Sequence, residues 1–260
     1  MTTIWAFTLA FWMFWYPQVL VRVPGPGGAV PSSGSVTWTL VQHPHNWTCT
    51  STSSGNLACT VTVSATTAGD GLLLALSYYV GVTSVATAPA FVSASGDSTW
   101  THNSSCTSET PNVTNTNFEG TDCAYISSAT GGATSLSMTY GFSNVNSSDG
   151  AYIDLDLYEV RRSTGSSSLD TLNAAHNYNC TTCSGPAPTL GGSSDYVAEW
   201  GAFCNPPTVP GAPYTNPSDV DTANNQIAGF LGALNQSSAA ALTYSQSPSC
   251  GASMGAFAWK

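Results

Sequence analysis

Apolar and polar positions along this chain follow a period of two almost throughout. Short runs, alternating or wholly apolar, stand between clusters of Ser, Gly, Asn and Asp, as strands do between turns. The runs predict strands at Val36–Gln42, Ala58–Ser64, Leu72–Val80, Val82–Ala86, Ser98–His102, Ala124–Ser127, Ser135–Phe142, Ala151–Arg161, Asp195–Phe203 and Leu242–Gln246, with a last one at Ala256–Trp259. Many short strands at this spacing imply an all-β fold, an antiparallel β-sandwich of jelly-roll or Ig-like type. At most one short helix is expected. Ile227, Phe230, Leu231 and Leu234 follow an i, i+3, i+4, i+7 stripe, with Asp219 and Asp221 ahead of it as caps.

The N-terminus has the same period with far larger side chains. Ile4 to Tyr16 is uncharged and apolar. A secretory signal cleaved after Ala29 is one reading, but no basic residue precedes the run and aromatics dominate it. Pro17 and Arg22 interrupt it before the roughly 20 apolar residues a membrane helix needs. As a strand it places Trp5, Phe7, Leu9, Phe11, Met13 and Trp15 on one face, continued by Val19 and Val21. Pro24-Gly25-Pro26-Gly27-Gly28 follows, with no strand or helix content. The expected organisation is an apolar N-terminal strand over 1–23, a Pro/Gly linker over 24–35 and one β-sandwich domain over 36–260. An aromatic strand of this kind exceeds the apolar patch a monomer tolerates, so it must enter its own sandwich, a membrane or a neighbouring subunit.

Composition narrows the function classes. Hydrophobic residues make up 42% of the 260, but charged residues only 7%, against about 25% in an ordinary globular domain. Four basic residues (Arg22, Arg161, Arg162, Lys260) face fourteen acidic ones, for a net charge of −10. No basic patch can be built from that set, which excludes nucleic acid and anionic membranes as partners. Ser and Thr, 69 in all, take over the solubilising role that Lys and Glu have in cytosolic proteins. Eight cysteines in such a chain read as disulfides in an oxidising, extracellular compartment. Proximity suggests Cys49–Cys59, Cys106–Cys123, Cys180–Cys183 and Cys204–Cys250. The Cys180-Thr181-Thr182-Cys183 spacing lacks the second pair a zinc site wants, and the Ser-Gly-Pro-Ala-Pro after it is loop chemistry, so a structural disulfide is preferred over a redox or metal role.

The candidates for catalysis are thin. Gly251-Ala252-Ser253-Met254-Gly255 matches the nucleophile-elbow pattern, but no acid or His follows Ser253, so chance is the preferred reading. His43 and His45 could form half a metal site, with His102 or His176 completing it; a surface loop is preferred. Asp154 and Asp156 share one strand face. Paired carboxylates suit glycoside hydrolysis or calcium, yet a solvent-facing strand, neutralised by Arg161 and Arg162, is the simpler expectation. Sequons stand at Asn46, Asn103, Asn112, Asn146, Asn179 and Asn235, near what chance yields in so Ser- and Thr-rich a chain. Trp100, Trp200 and Trp259 could stack on sugars, with core packing the default. No catalytic residue, metal or cofactor is expected.

Thr39-Leu40-Val41-Gln42, Thr66 to Leu76, Leu157-Tyr158-Glu159-Val160 with Ser168-Leu169-Asp170, and Ser194-Asp195-Tyr196-Val197 together resemble a group of uncharacterised secreted bacterial β-sandwich proteins. That resemblance covers roughly 36–260 and implies no catalytic residues. The aromatic N-terminal strand and the eight cysteines depart from it. In design, the N-terminal arrangement resembles donor-strand exchange in pili and related fibrils, where one subunit's strand completes a neighbour's sandwich. The favoured expectation is therefore a structural subunit of an extracellular helical filament, a homo-oligomer of identical chains with covalent glycans open. The alternative is a monomeric secreted carbohydrate- or surface-binding module with a cleaved signal. A secreted glycoside hydrolase or lyase stands third.

Overall fold

The computed structural model describes residues 36–44, 47–51, 56–81, 90–111, 117–141, 151–192, 194–203, 221–223, 227–229, 233–236 and 243–260. The N-terminal strand residues Trp5, Phe7, Leu9, Phe11, Met13, Trp15, Val19 and Val21 lie outside them, as does the strand expected at Val82–Ala86. In chain order the strands are β1 (Trp38–Gln42), β2 (Trp47–Ser51), β3 (Asn56–Thr62), β4 (Gly71–Gly81), β5 (Ala90–Ser95) and β6 (Thr101–His102). A 3-10 turn (Ser104–Cys106) precedes β7 (Ser108–Pro111), β8 (Asn117–Ile126), β9 (Ser135–Gly141) and β10 (Ala151–Arg162). The last are β11 (Leu169–Ser184), β12 (Asp195–Phe203), β13 (Asp221–Ala223), β14 (Ile227–Gly229), β15 (Ala233–Gln236) and β16 (Thr243–Trp259).

All pairings are antiparallel, and they build three sheets. The first has the order β1-β10-β4-β8-β6, with β7 also on β8. The second runs β11-β16-β12-β14-β13, with β15 also on β12, and the third β2-β3-β9-β5. The first sheet is central. Its Leu72, Leu74, Leu76, Leu155 and Leu157 pack with Val61, Leu136, Met138 and Tyr140 of the third sheet. Its Leu73, Ala75, Cys123, Tyr158 and Val160 pack with Leu172, Tyr196, Trp200, Phe257 and Trp259 of the second. The fold is thus a sandwich with a middle layer. That arrangement explains why Leu72-Leu73-Leu74-Ala75-Leu76 runs apolar without alternation: a strand covered on both faces needs no polar side.

Aromatics close the packing over glycines. Trp200 stands opposite Gly255, where a Cβ would come within 2.5 Å of the indole, and Tyr78 stands opposite Gly120, where a Cβ would sit 2.0 Å from the phenol ring. Larger residues at either glycine would drive the ring out of its layer.

Several expectations are corrected. The Ile227–Leu234 stripe is not a helix where it is described: β14 pairs Ile227 and Ala228 with Ala202 and Gly201, and β15 pairs Ala233 and Gln236 with Val197 and Asp195. Pairing alongside β12 overrides a helical spacing of apolar residues. Asp221 belongs to β13, not to a cap. The two C-terminal strands are one, Thr243–Trp259, in spite of Pro248 and two glycines. Between Ser98 and His102 only Thr101–His102 is strand. The long β11 carries too many Asn and Thr for its alternation to be read, and the sequence missed it, as it missed β2, β5 and β7.

Candidate functional site

Two features can carry function: the sheet edges, and the carboxyl groups inside. Among the described residues β5 pairs only β9 and so ends the third sheet. Its register with β9 slips between Phe91 and Ser93, and Val92 at the slip is 51% exposed. Ala90-Phe91-Val92-Ser93-Ala94-Ser95 contains no charge and no proline, the usual guards of an edge strand. Phe91, Ala94 and Trp100 rim the apolar layer and are only partly buried. Phe91 also stacks on His102, ring centroids 4.1 Å apart, and His102 Nε2 lies 2.9 Å from Asp122 Oδ1. Asp122 is buried and accepts from Tyr140 Oη at 2.6 Å, Thr107 Oγ1 at 3.1 Å and the Cys123 amide at 2.7 Å. The edge is thus tied to the core through one aromatic–imidazole–carboxylate chain. The second sheet ends at β11, which pairs only β16 among the described residues and exposes Tyr178.

Inside, Asp70, Glu119, Asp122, Asp154, Asp156, Glu159, Asp195 and Glu199 are all buried. Asp154 and Asp156 are 1% and 3% exposed, which corrects the solvent-face expectation. The alternation in Ile153 to Leu157 reports two chemically different faces, and the second sheet covers the polar one. Trp47 Nε1 donates to Asp154 Oδ1 at 2.7 Å. Neither arginine serves them as expected. Arg161 makes a bidentate pair with Asp70, at 2.9 and 2.8 Å, and Arg162 donates to the Thr164 and Ser166 carbonyls.

Glu159 accepts from Gln42 Nε2 and from the Thr67 amide, and beside it lies Asp70, whose amide donates to the Thr67 carbonyl. Burial pushes its carboxyl above the ordinary range; the donors oppose this and the neighbouring Asp70 adds to it. Asp195 accepts from the Gly192 amide and its neighbour Asp170 from the preceding Gly191 amide, with Lys260 Nζ 3.0 Å from Asp170. Burial raises Asp195. It also acts on Asp170, but there the amide and the ammonium outweigh it and hold the carboxyl low. Glu119 Oε2 has no hydrogen-bond partner, and burial pushes this carboxyl up to about 7. Asp97 belongs to a turn: at φ 61° it accepts from Thr66, Thr130 and Gly131, which together outweigh its burial and lower it.

The remaining sequence candidates are spread apart. Ser253 is buried in β16, no strand–turn–helix, and its hydroxyl donates to the Glu119 carbonyl at 2.8 Å. His43 sits in the loop after β1, as expected, but half-buried: its Nδ1 lies 2.8 Å from the Leu157 carbonyl and its ring stacks on Tyr158. His45 lies outside the described residues, and His176 is exposed beside Tyr178. Among the described residues no group of three or more His, Cys, Asp or Glu could hold a metal ion. Trp200 and Trp259 are core, whereas Trp100 is a half-buried residue just ahead of β6 that donates to the Gly96 carbonyl.

Cys49–Cys59, Cys106–Cys123 and Cys180–Cys183 are disulfides, the last within β11 and not in a loop. Cys204, the expected partner of Cys250, lies outside the described residues. Of the sequons, Asn179 is exposed, at φ 54°. Asn103 caps the 3-10 turn, its Oδ1 accepting from the Ser105 amide. Asn235 falls in β15, and Asn46, Asn112 and Asn146 lie outside the described residues. No described helix is long and apolar enough to cross a membrane. Comparison with protein-family models, curated proteins and solved structures finds no match for this chain.

Proposed function

We propose that the protein is the structural subunit of an extracellular filament, assembled when the N-terminal strand of one copy adds to an open sheet edge of the next. The observation that carries this reading is β5, an uncharged, proline-free edge strand whose inward Phe91 and Ala94 are only partly buried. An edge of that kind is a template for another strand. The residues suited to cover it are Trp5, Phe7, Leu9, Phe11, Met13 and Trp15, on one face of the strand read from the sequence. Burying six such side chains gains roughly 10–18 kcal/mol before association entropy and linker ordering are subtracted. Donor and acceptor surfaces differ, so the contact is heterologous and propagates as a helix. Three disulfides suit life outside the cell.

Electron microscopy of the full chain, of a chain lacking residues 1–35 and of full-length Val92→Lys tests this. Filaments are expected from the full chain, none from the truncated one, and fewer or shorter ones from Val92→Lys. Filaments from the truncated chain would sink the strand-donation mechanism. Monodisperse monomers from the full chain would sink the filament itself and turn attention to glycan binding.

A further inference from the structure

Among the described residues eight acidic side chains are buried, in a chain that has fourteen acids and only four bases. A buried carboxylate without a cation is expensive, and such a group keeps its proton instead. Three places set buried acids against too few bases. Asp70 and Glu159 meet at Thr67, whose carbonyl accepts from the Asp70 amide and whose amide donates to Glu159, and two buried acids this close to one base favour retention of a proton. The cation facing this pair is Arg161, bidentate on Asp70; Gln42 and the Thr67 amide are neutral donors. Asp170 and Asp195 repeat the arrangement with Lys260 as the cation and the Gly191 and Gly192 amides as neutral donors. Each pair sets two acids against one base. At the third place, Glu119 is 1% exposed and its Oε2 is unpartnered. It stands in register between Tyr79 of β4 and Thr110 of β7, with Ser253 of β16 on its carbonyl, and none of these is a base.

We propose that this fold binds protons as structural ligands: at Glu119 and in the Asp70–Glu159 and Asp170–Asp195 pairs, protons replace the cations the chain lacks, so the folded protein is most stable in an acidic medium. The sign follows from the groups themselves. Glu119, Glu159 and Asp195 are all raised by burial, Glu119 from 4.5 to about 7. Their contribution to stability is complete below the unfolded carboxyl range and is lost as pH rises through the folded values. Asp97 and Asp170 are lowered, so what they contribute is lost only as pH falls below their ordinary 3.8. The optimum therefore lies near pH 4, below the range of about 5–8 where most proteins are most stable.

The test is thermal unfolding of the full chain from about pH 4 to about pH 8, alongside Glu119→Gln and Asp195→Asn, which mimic the protonated acids. From Glu119 alone the folding equilibrium of the native sequence should fall by a total of about 300-fold as pH rises from well below its unfolded value to well above its folded one. Glu119→Gln should lose that much less, and Asp195→Asn should flatten the profile by a smaller amount. An unfolding midpoint that is level or climbs across this range overturns the proposal, as does a folded Glu119→Gln with an unchanged slope. If the variants do not fold, proton counting on the native sequence decides. At about pH 6 the folded chain should hold more protons than the denatured one; equal or fewer would overturn the proposal. Glu119 and Asp195 are interior, so this outcome is independent of whether β5 receives a strand.

Discussion

The two faces of the central sheet are built from the same strands and differ in chemistry. Toward the third sheet β4 presents Leu72, Leu74, Leu76 and Tyr78, met by Val61, Leu136, Met138 and Tyr140. Toward the second sheet the alternate residues are Leu73, Ala75, Ser77 and Tyr79, in register with Tyr125, Cys123, Thr121 and Glu119 on β8. That second layer begins apolar, at Trp38 and Trp259, and becomes polar along the strands, ending in Ser77, Thr121, Glu119 and Ser253. The first face has an oil-like interior interrupted by two buried carboxyl groups, the satisfied Asp122 and, at the end of the layer in register with Leu72, Glu159. The second keeps hydroxyls and carboxyls dry. Stability in the first layer should depend on shape and volume, and in the second on hydrogen bonds and protons.

The largest effect expected of that contrast is at Leu74. Leu74→Ala opens a cavity in the apolar layer and should destabilise the protein by about 2–5 kcal/mol, by nearly the same amount at acid and neutral pH. Denaturant titration at two pH values measures this, and a strong pH dependence of the difference would erase the distinction between the layers. Next is Tyr140→Phe, which removes a short donor to the buried Asp122 and should cost about 1.5–3 kcal/mol. A neutral result in the same titration would mean that Asp122 is held well enough by His102, Thr107 and the Cys123 amide. The smallest is Ser253→Ala, which removes the hydroxyl from the Glu119 carbonyl and should cost about 1 kcal/mol. A loss as large as that of Leu74→Ala, read by calorimetry, would show that the polar layer is the more sensitive to packing.

Much of the fold was legible. β4, β9, β10 and β12 fall within a residue or two of their expected limits, because a covered strand must be apolar along its length or on alternate positions. The pairs Cys49–Cys59, Cys106–Cys123 and Cys180–Cys183 followed from proximity alone. Among the edge strands β1 was legible, but three others were not. β2, β5 and β11 are half wet and rich in Thr, Ser and Asn, the residues that also mark turns. The candidate edge was therefore missed, although its lack of any charge is itself a sequence signal. The carboxylates were misread at Asp154 and Asp156, because a period of two separates the faces of a strand without saying which of them meets water.

By itself, then, the sequence determined the strand-forming period, the disulfide pairs within reach along the chain, and the shortage of bases against its acids. Those are local or compositional properties, carried by residue type and spacing. Only the tertiary structure decided that the central sheet is covered on both faces, that Asp70 meets Glu159 and Asp170 meets Asp195, and that β5 stands at an edge. Each of these depends on contacts between strands far apart in the chain, and register, layer order and burial are set by how the whole set of sheets can close over its apolar surface.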